Sequence, residues 1–304
     1  MSSPSNPISR NMNVKTALHT AARRYCQERF SDWLHSYNEL QAKEEYQVEN
    51  LFKPGWDYSE EAYKIFPRYR LDGAIQVEVE RLTPNSYTSL EELRVQLLRA
   101  CDPALVRLRA ELSEPIAQEA LREEANDYRE YIQVLNEPDL TNIAPLPFRR
   151  VITEQESKKL WGQLKEVWDI GGDYWFPLRK GHLPPHVITF HSDYFGKMGG
   201  AQLLREALEM RGITRIYQLQ EFGSPEPEYE IELSILKPAY SNGGEQYSTS
   251  DRTDWVVYAS HESSITVCGE WLTDVFKQKW PEWGQRAYGG PYSTDDLRGT
   301  WDTK

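Results

Sequence analysis

The sequence predicts an α+β protein, with an N-terminal helical bundle followed by a C-terminal, mainly antiparallel sheet and its covering helices. Three observations predict it. Apolar residues recur every three or four positions through the first half, short β-branched and aromatic runs replace that period in the second, and three prolines fall within residues 138–147 between them. The expected organisation is therefore a helical domain over residues 1–137, a Pro-rich linker over 138–147 and a Trp-rich α+β domain over 148–304.

In the first half, Val14, Leu18, Ala22, Tyr25, Phe30, Trp33, Tyr37 and Leu40 mark one long amphipathic helix from about Asn13, whose side chain is a suitable N-cap. Ser59-Glu60-Glu61 opens a second helix, which Pro67 is expected to end or kink. Beyond it, the spacing of Tyr69, Leu71, Ile75, Val79 and Leu82 favours helix, with strand as the alternative because Ile75, Val77 and Val79 alternate. Ser89-Leu90-Glu91-Glu92 and Asp102-Pro103 read as two further helix starts, and Pro115 as a break in the charged stretch that runs to Leu135. The prolines of 138–147 favour extended backbone and oppose a helix.

In the second half, Thr153 to Trp168 reads as a capped helix. Strands are expected at Asp173 to Phe176, Val187 to Phe190, Thr214 to Gln218, Tyr229 to Leu236, Trp255 to Ala259 and Ser264 to Cys268. Helices are expected at Gly200 to Arg211 and from Glu270 to about Trp283, a mobile loop over Tyr240 to Thr253, and no strong element after Gly289.

Composition narrows the function. The formal net charge is −12, which disfavours nucleic-acid binding because such binding rests on neutralising phosphates; the arginines Arg68, Arg70, Arg149 and Arg150 are the remaining candidates for it. The first residues lack the apolar run of a secretory signal and no stretch approaches a membrane span, so the expectation is a soluble, cytoplasmic protein with no membrane partner. Cys26, Cys101 and Cys268 match neither a disulfide framework nor a metal knuckle and read as buried thiols.

His182, His186, His191 and Asp193 form an H-x3-H-x4-H-x-D pattern of residue types that ligate zinc or iron. Pro184-Pro185 prevents a helix that would stack the histidines, whereas a strand from Val187 would put His191 and Asp193 on one face. His261-Glu262, between two apolar strands, is a second candidate, a histidine beside a carboxylate being a possible general base. His191, Asp193, His261 and Glu262 are thus the catalytic candidates, although no nucleophile motif accompanies them. Gly196 to Gly200 precedes a helix and offers amides to an anion, but it is neither a P-loop nor a dinucleotide fingerprint, and a tight turn is the simpler role.

Most of the ten tryptophans lie in the second half, and those at helical or strand spacing read as core. Trp283, Trp301, Tyr240, Tyr247, Tyr288 and Tyr292 are harder to bury, and such aromatics anchor interfaces. The leading expectation is a non-enzymatic protein that binds another protein, possibly a basic one that it neutralises, through Trp283, Tyr288, Tyr292 and Trp301. An enzyme with a His/Asp/Glu site, such as a metal-assisted hydrolase, is the alternative, and nothing calls for a cofactor.

Overall fold

The computed structural model describes residues 12–43, 59–171, 175, 186–221, 224, 226–240, 244–281 and 283–288. The chain divides into two compact units, Met1–Leu146 and Pro147–Lys304.

The first unit is built from helices α1 (Val14–Gln41), α2 (Glu60–Glu80), α3 (Leu90–Arg99), α4 (Cys101–Glu111), α5 (Pro115–Val134) and the one-turn α6 (Glu137–Leu140). Side-chain caps start four of them: the Asn13 oxygen accepts from the Lys15 amide, Ser59 from Ala62, Ser89 from Glu92 and Asn136 from Asp139. Each cap satisfies an amide that the first helical turn leaves without a partner. Leu18, Cys26, Leu71, Ile75, Leu93, Leu97, Leu121 and Tyr128 fill the common core.

Two expectations change here, at Pro67 and at Glu137–Leu140. Pro67 lies inside α2 and does not end it; a proline removes one donor and crowds one turn, and the buried Phe66, Leu71 and Ile75 hold the helix through that loss. The segment around Val77 is helix, as its spacing favours. A helix does start at Asp102-Pro103, with Cys101 as its first residue; α4 follows α3 after a single residue, and the Asp102 carboxylate in its first turn accepts from Arg129 rather than capping the helix. Glu137–Leu140 is a helical turn despite Pro138, which occupies a first-turn position where no amide partner is lost, and Leu140 is buried in the core.

Charges also lie inside this bundle. Glu124 of α5, 0% exposed, accepts two bonds from Arg29 at 2.7 and 2.6 Å, one from the Trp33 indole at 3.0 Å and one from Arg68 at 3.3 Å. Glu80 accepts from Arg23 at 3.1 Å and Gln76 at 3.0 Å. His19 sits 2.9 Å from the Val79 carbonyl; burial pushes its pKa down to about 4, so the neutral imidazole donates there through Nε2. Asp72 is the exception. Both its oxygens are buried with no hydrogen-bond partner among the described residues, and burial, reinforced by Glu124, pushes its pKa up to about 9.

In the second unit, helix α7 (Glu154–Trp168) begins in a capping box in which Thr153 and Glu156 satisfy each other's amides. Among the described residues seven strands form one antiparallel sheet: β1 (Arg149–Val151), β2 (Val187–His191), β3 (Arg215–Gln220), β4 (Tyr229–Glu232), β5 (Gln246–Thr249), β6 (Val256–Ser260) and β7 (Ser264–Cys268), in the order β1-β4-β3-β5-β6-β7-β2. Helices α8 (Ser192–Lys197) and α9 (Gly200–Met210) join β2 to β3, and α10 (Glu270–Lys279) and α11 (Trp283–Arg286) follow β7.

Alternation along the strands builds a core on each face. On one face Leu219, Tyr247, Val256 and Tyr258 pack with Leu160, Trp161 and Leu164 of α7. On the other, Phe190 meets Phe195, Phe276 and Trp280 with ring centroids 5.0 to 5.9 Å apart. The outer side of β2 is covered by the Phe190–Ala287 bridge and by the Tyr288 amide, which donates to the Thr189 carbonyl.

The largest correction is β5. The Ser- and Gly-rich stretch expected to be a mobile loop contains the central strand of the sheet, every residue of it buried. One strand and one helix fall short of expectation: Tyr229 to Leu236 leaves the sheet after Glu232 in a 3-10 turn, and the α10 helix stops at Lys279. The expected strand at Asp173 to Phe176 lies outside the described residues except for Trp175, whose ring meets Tyr258 edge-on at 5.5 Å.

Asp72 generates a signed prediction. Its folded pKa of about 9 lies above the usual 3.8, so the folded chain holds a proton that the unfolded chain releases, and the group's contribution to stability falls as pH rises from about 4 to about 9. Asp72→Asn is expected to raise the unfolding free energy at pH 7 by about 1 to 3 kcal/mol and to flatten that decline, as measured by urea denaturation across pH.

Candidate functional site

Residues paired directly across antiparallel strands point to the same face. His191 pairs with Ser264, and Ser264 with Ser260. One step beyond the Gln246–Ala259 pair, the Ser260 hydroxyl donates to Glu245 Oε1 at 3.2 Å, and the Glu221 amide donates to the Glu245 carbonyl at 3.0 Å. One end of the sheet therefore carries the polar row Glu221, Glu245, Ser260, Ser264, His191.

Glu245 is the centre of this row. It is 1% exposed, and its Oε1 lies 2.6 Å from His261 Nδ1. Burial raises its pKa, and the hydrogen bond from His261 opposes that rise, as expected when a carboxylate is taken from water and only partly compensated. Its Oε2 is buried with no hydrogen-bond partner among the described residues. The hairpin turn 261–263 holds His261 in place: Ser260 accepts the Glu262 amide at 3.1 Å, and Ser263 takes a left-handed conformation at φ 55°. Glu262 Oε1 approaches His261 Nε2 at 3.2 Å, and the exposed Tyr240 ring lies 6.1 Å from the imidazole.

His261 and Glu262 are thus brought together, with Glu245 as the partner that sequence reasoning missed. Glu245 is 16 residues from His261 and inside a stretch of loop-like composition, so only the β5–β6 register reveals it.

His191 and Asp193 are not brought together as expected. The strand ends at His191, and Asp193 lies in the first turn of α8, exposed and paired with Lys197 at 3.4 Å. His191 is buried; its ring stacks near Tyr288 at 4.5 Å, burial lowers its pKa, and its Nε2 has no partner among the described residues. It stands two strand spacings from Ser260, about 10 Å, so the two histidines do not form one catalytic set.

The histidine metal pattern does not assemble either. His186 and His191 flank β2 at its opposite ends, about 17 Å apart along an extended strand, and His182 lies outside the described residues. Among the described residues no group of three His, Cys, Asp or Glu is placed to hold a metal ion. The Gly196 to Gly200 turn serves packing: a Cβ on Gly200 would lie 2.8 Å from Trp280 and 2.9 Å from Phe195.

Of the aromatic anchors, Tyr288 lies on His191 and Trp283 is half-buried, with Lys277 Nζ 5.9 Å from its ring centre. Tyr247, expected near the surface, is fully buried and stacks on Tyr258 at 4.7 Å. Tyr292 and Trp301 lie outside the described residues. The four arginines considered for nucleic acid are engaged internally: Arg68 with Glu123 and Glu124, Arg70 with Glu111, Arg150 with Glu156 and Glu230, and Arg149 against the Tyr229 ring.

Comparison with protein-family models, curated proteins and solved structures gives no match. Among the described residues no helix is long and apolar enough to cross a membrane.

The Glu245–His261 bond predicts a measurable cost. His261→Ala leaves Glu245 with only the Ser260 hydroxyl on Oε1, and it is expected to lower the unfolding free energy at pH 7 by about 1 to 2 kcal/mol, measured by chemical denaturation.

Proposed function

We propose that this is a non-enzymatic protein-binding module whose acidic sheet end receives a basic segment of a partner protein. The observation that carries this reading is the state of Glu245, a buried carboxylate with one oxygen lacking a hydrogen-bond partner among the described residues. Glu221 and Glu262 lie beside it, and among the described residues no Lys or Arg pairs with Glu221 or Glu245. An incoming lysine or arginine would supply the missing positive charge, and the exposed Tyr240 offers an aromatic contact at the rim. The chain's net charge of −12 would steer such a partner at long range.

The 2.6 Å carboxylate–imidazole bond favours one second reading, an enzyme using His261 as general base. Against it, Glu262 stands at the other imidazole nitrogen, and the neighbouring Ser260 hydroxyl donates to Glu245. Hydrolysis of ester or phosphoester substrates by the purified chain, abolished in His261→Asn, would establish that reading in place of the first.

The binding reading is tested by immobilising the full chain and its Glu221→Gln/Glu262→Gln variant and capturing proteins from nuclease-treated lysate at low and high salt. The wild type is expected to retain one basic protein stoichiometrically at low salt, with at least about tenfold less on the variant or at high salt. No retained protein, or one indifferent to both changes, counts against it.

A further inference from the structure

At the opposite end of the same sheet lies a cleft of about 500 Å³, formed where α9 ends, β3 begins, the 250–254 turn joins β5 to β6, and α10 starts. Its size falls in the range of small-molecule sites. It has nothing in common with the Glu245 cluster: three arginines, Arg211, Arg215 and Arg252, line it in a chain that is strongly acidic.

Their engagement elsewhere is incomplete. Arg211 lies over the Trp271 ring at 4.5 Å, and Arg215 lies over Phe148 at 3.6 Å with Glu230 3.7 Å away. Among the described residues neither Arg211 nor Arg252 has a carboxylate partner, although Asp251 and Asp254 line the same cleft. A guanidinium stacked on an aromatic ring keeps its in-plane N–H groups for another acceptor. Trp271, also in the lining, has its indole N–H buried with no acceptor among the described residues. The tryptophans that find acceptors, Trp161 on Glu228, Trp168 on Thr253 and Trp255 on Ser250, show what a buried indole N–H in this unit otherwise does.

Several donors without acceptors, gathered with positive charge, call for an oxyanion. The two carboxylates narrow the choice. A bare dianion would meet Asp251 and Asp254 as like charges, whereas a ligand that brings hydroxyl groups turns both into acceptors. We propose that this cleft binds a phosphate monoester that also carries sugar hydroxyls, with Arg211, Arg215 and Arg252 holding the phosphate and Asp251 and Asp254 accepting from the hydroxyls. This site is independent of the proposed protein-binding end, and either can fail without the other.

The test is calorimetric titration of the full chain with ribose 5-phosphate, adenosine 5′-monophosphate, ribose and inorganic phosphate. At least one of the two sugar phosphates is expected to bind about tenfold more tightly than inorganic phosphate and ribose, with Arg211→Gln and Arg252→Gln each weakening it about tenfold and Asp251→Asn erasing the preference over inorganic phosphate. Arg252 lies in an exposed turn, so its variant is expected to unfold at the wild-type midpoint. No binding of either sugar phosphate by the wild type, affinity unchanged in both arginine variants, or inorganic phosphate binding equally well would overturn the proposal.

Discussion

The placement of β5 in the middle of the sheet is the constraint from which the rest of the second unit follows. A strand hydrogen-bonded on both sides and covered on both faces has no solvent-facing side, and its polar residues must find partners within the protein. Thr249 does so by donating to the Trp255 carbonyl at 2.7 Å and Gln246 by accepting from Gln218 at 3.3 Å, while the Tyr247 ring stacks on Tyr258 and meets Trp161 edge-on. The residue that enters the strand, Glu245, is carried inward with it. Its position in the register brings it against Ser260 and the adjoining hairpin, so that His261 becomes its hydrogen-bond partner.

Buried carboxylates in this chain are matched to different degrees, from Glu124 with its four donors to Asp72 with none among the described residues. In the bundle, Glu124 ties α1 to α2 and α5 through Arg29, Trp33 and Arg68, and Glu80 joins α2 to α1 through Arg23. Such pairs add little net stability once desolvation is counted, but each fixes how the helices sit against one another, because removing one partner strands the other. Glu245 has fewer donors than Glu124 and none that is a lysine or arginine among the described residues, and its raised pKa expresses that deficit. A fully matched carboxylate reads as structure, whereas a half-matched one at the end of a sheet reads as a place for something else to bind.

Much of the architecture is legible in the sequence because it depends on short-range rules. Asn13, Ser59, Ser89 and Thr153 mark helix starts through bonds no more than three residues long, and the α+β division follows from the change of period. What escapes depends on partners distant in the chain. Gln246–Thr249 has loop-like composition and becomes a strand only because β3 and β6 flank it. Arg149–Val151, beside prolines, joins the sheet through its pairing with β4. His191 and Asp193 share a face only if the strand continues, and α8 begins between them. His261 was legible as a candidate, but its carboxylate was not, because the contact exists only in the folded register.

The most direct measurement of this account is the pH titration of the Glu245 side-chain carboxyl by carbon-13 NMR, in the wild type and in His261→Ala. The account predicts a midpoint above the usual glutamate range in the wild type, and a further rise once the His261 hydrogen bond that stabilises the ionised form is gone. An ordinary or depressed midpoint, unmoved by the substitution, would mean that Glu245 is neither desolvated nor held by His261, and would contradict the reading of this sheet end as an under-compensated acidic site.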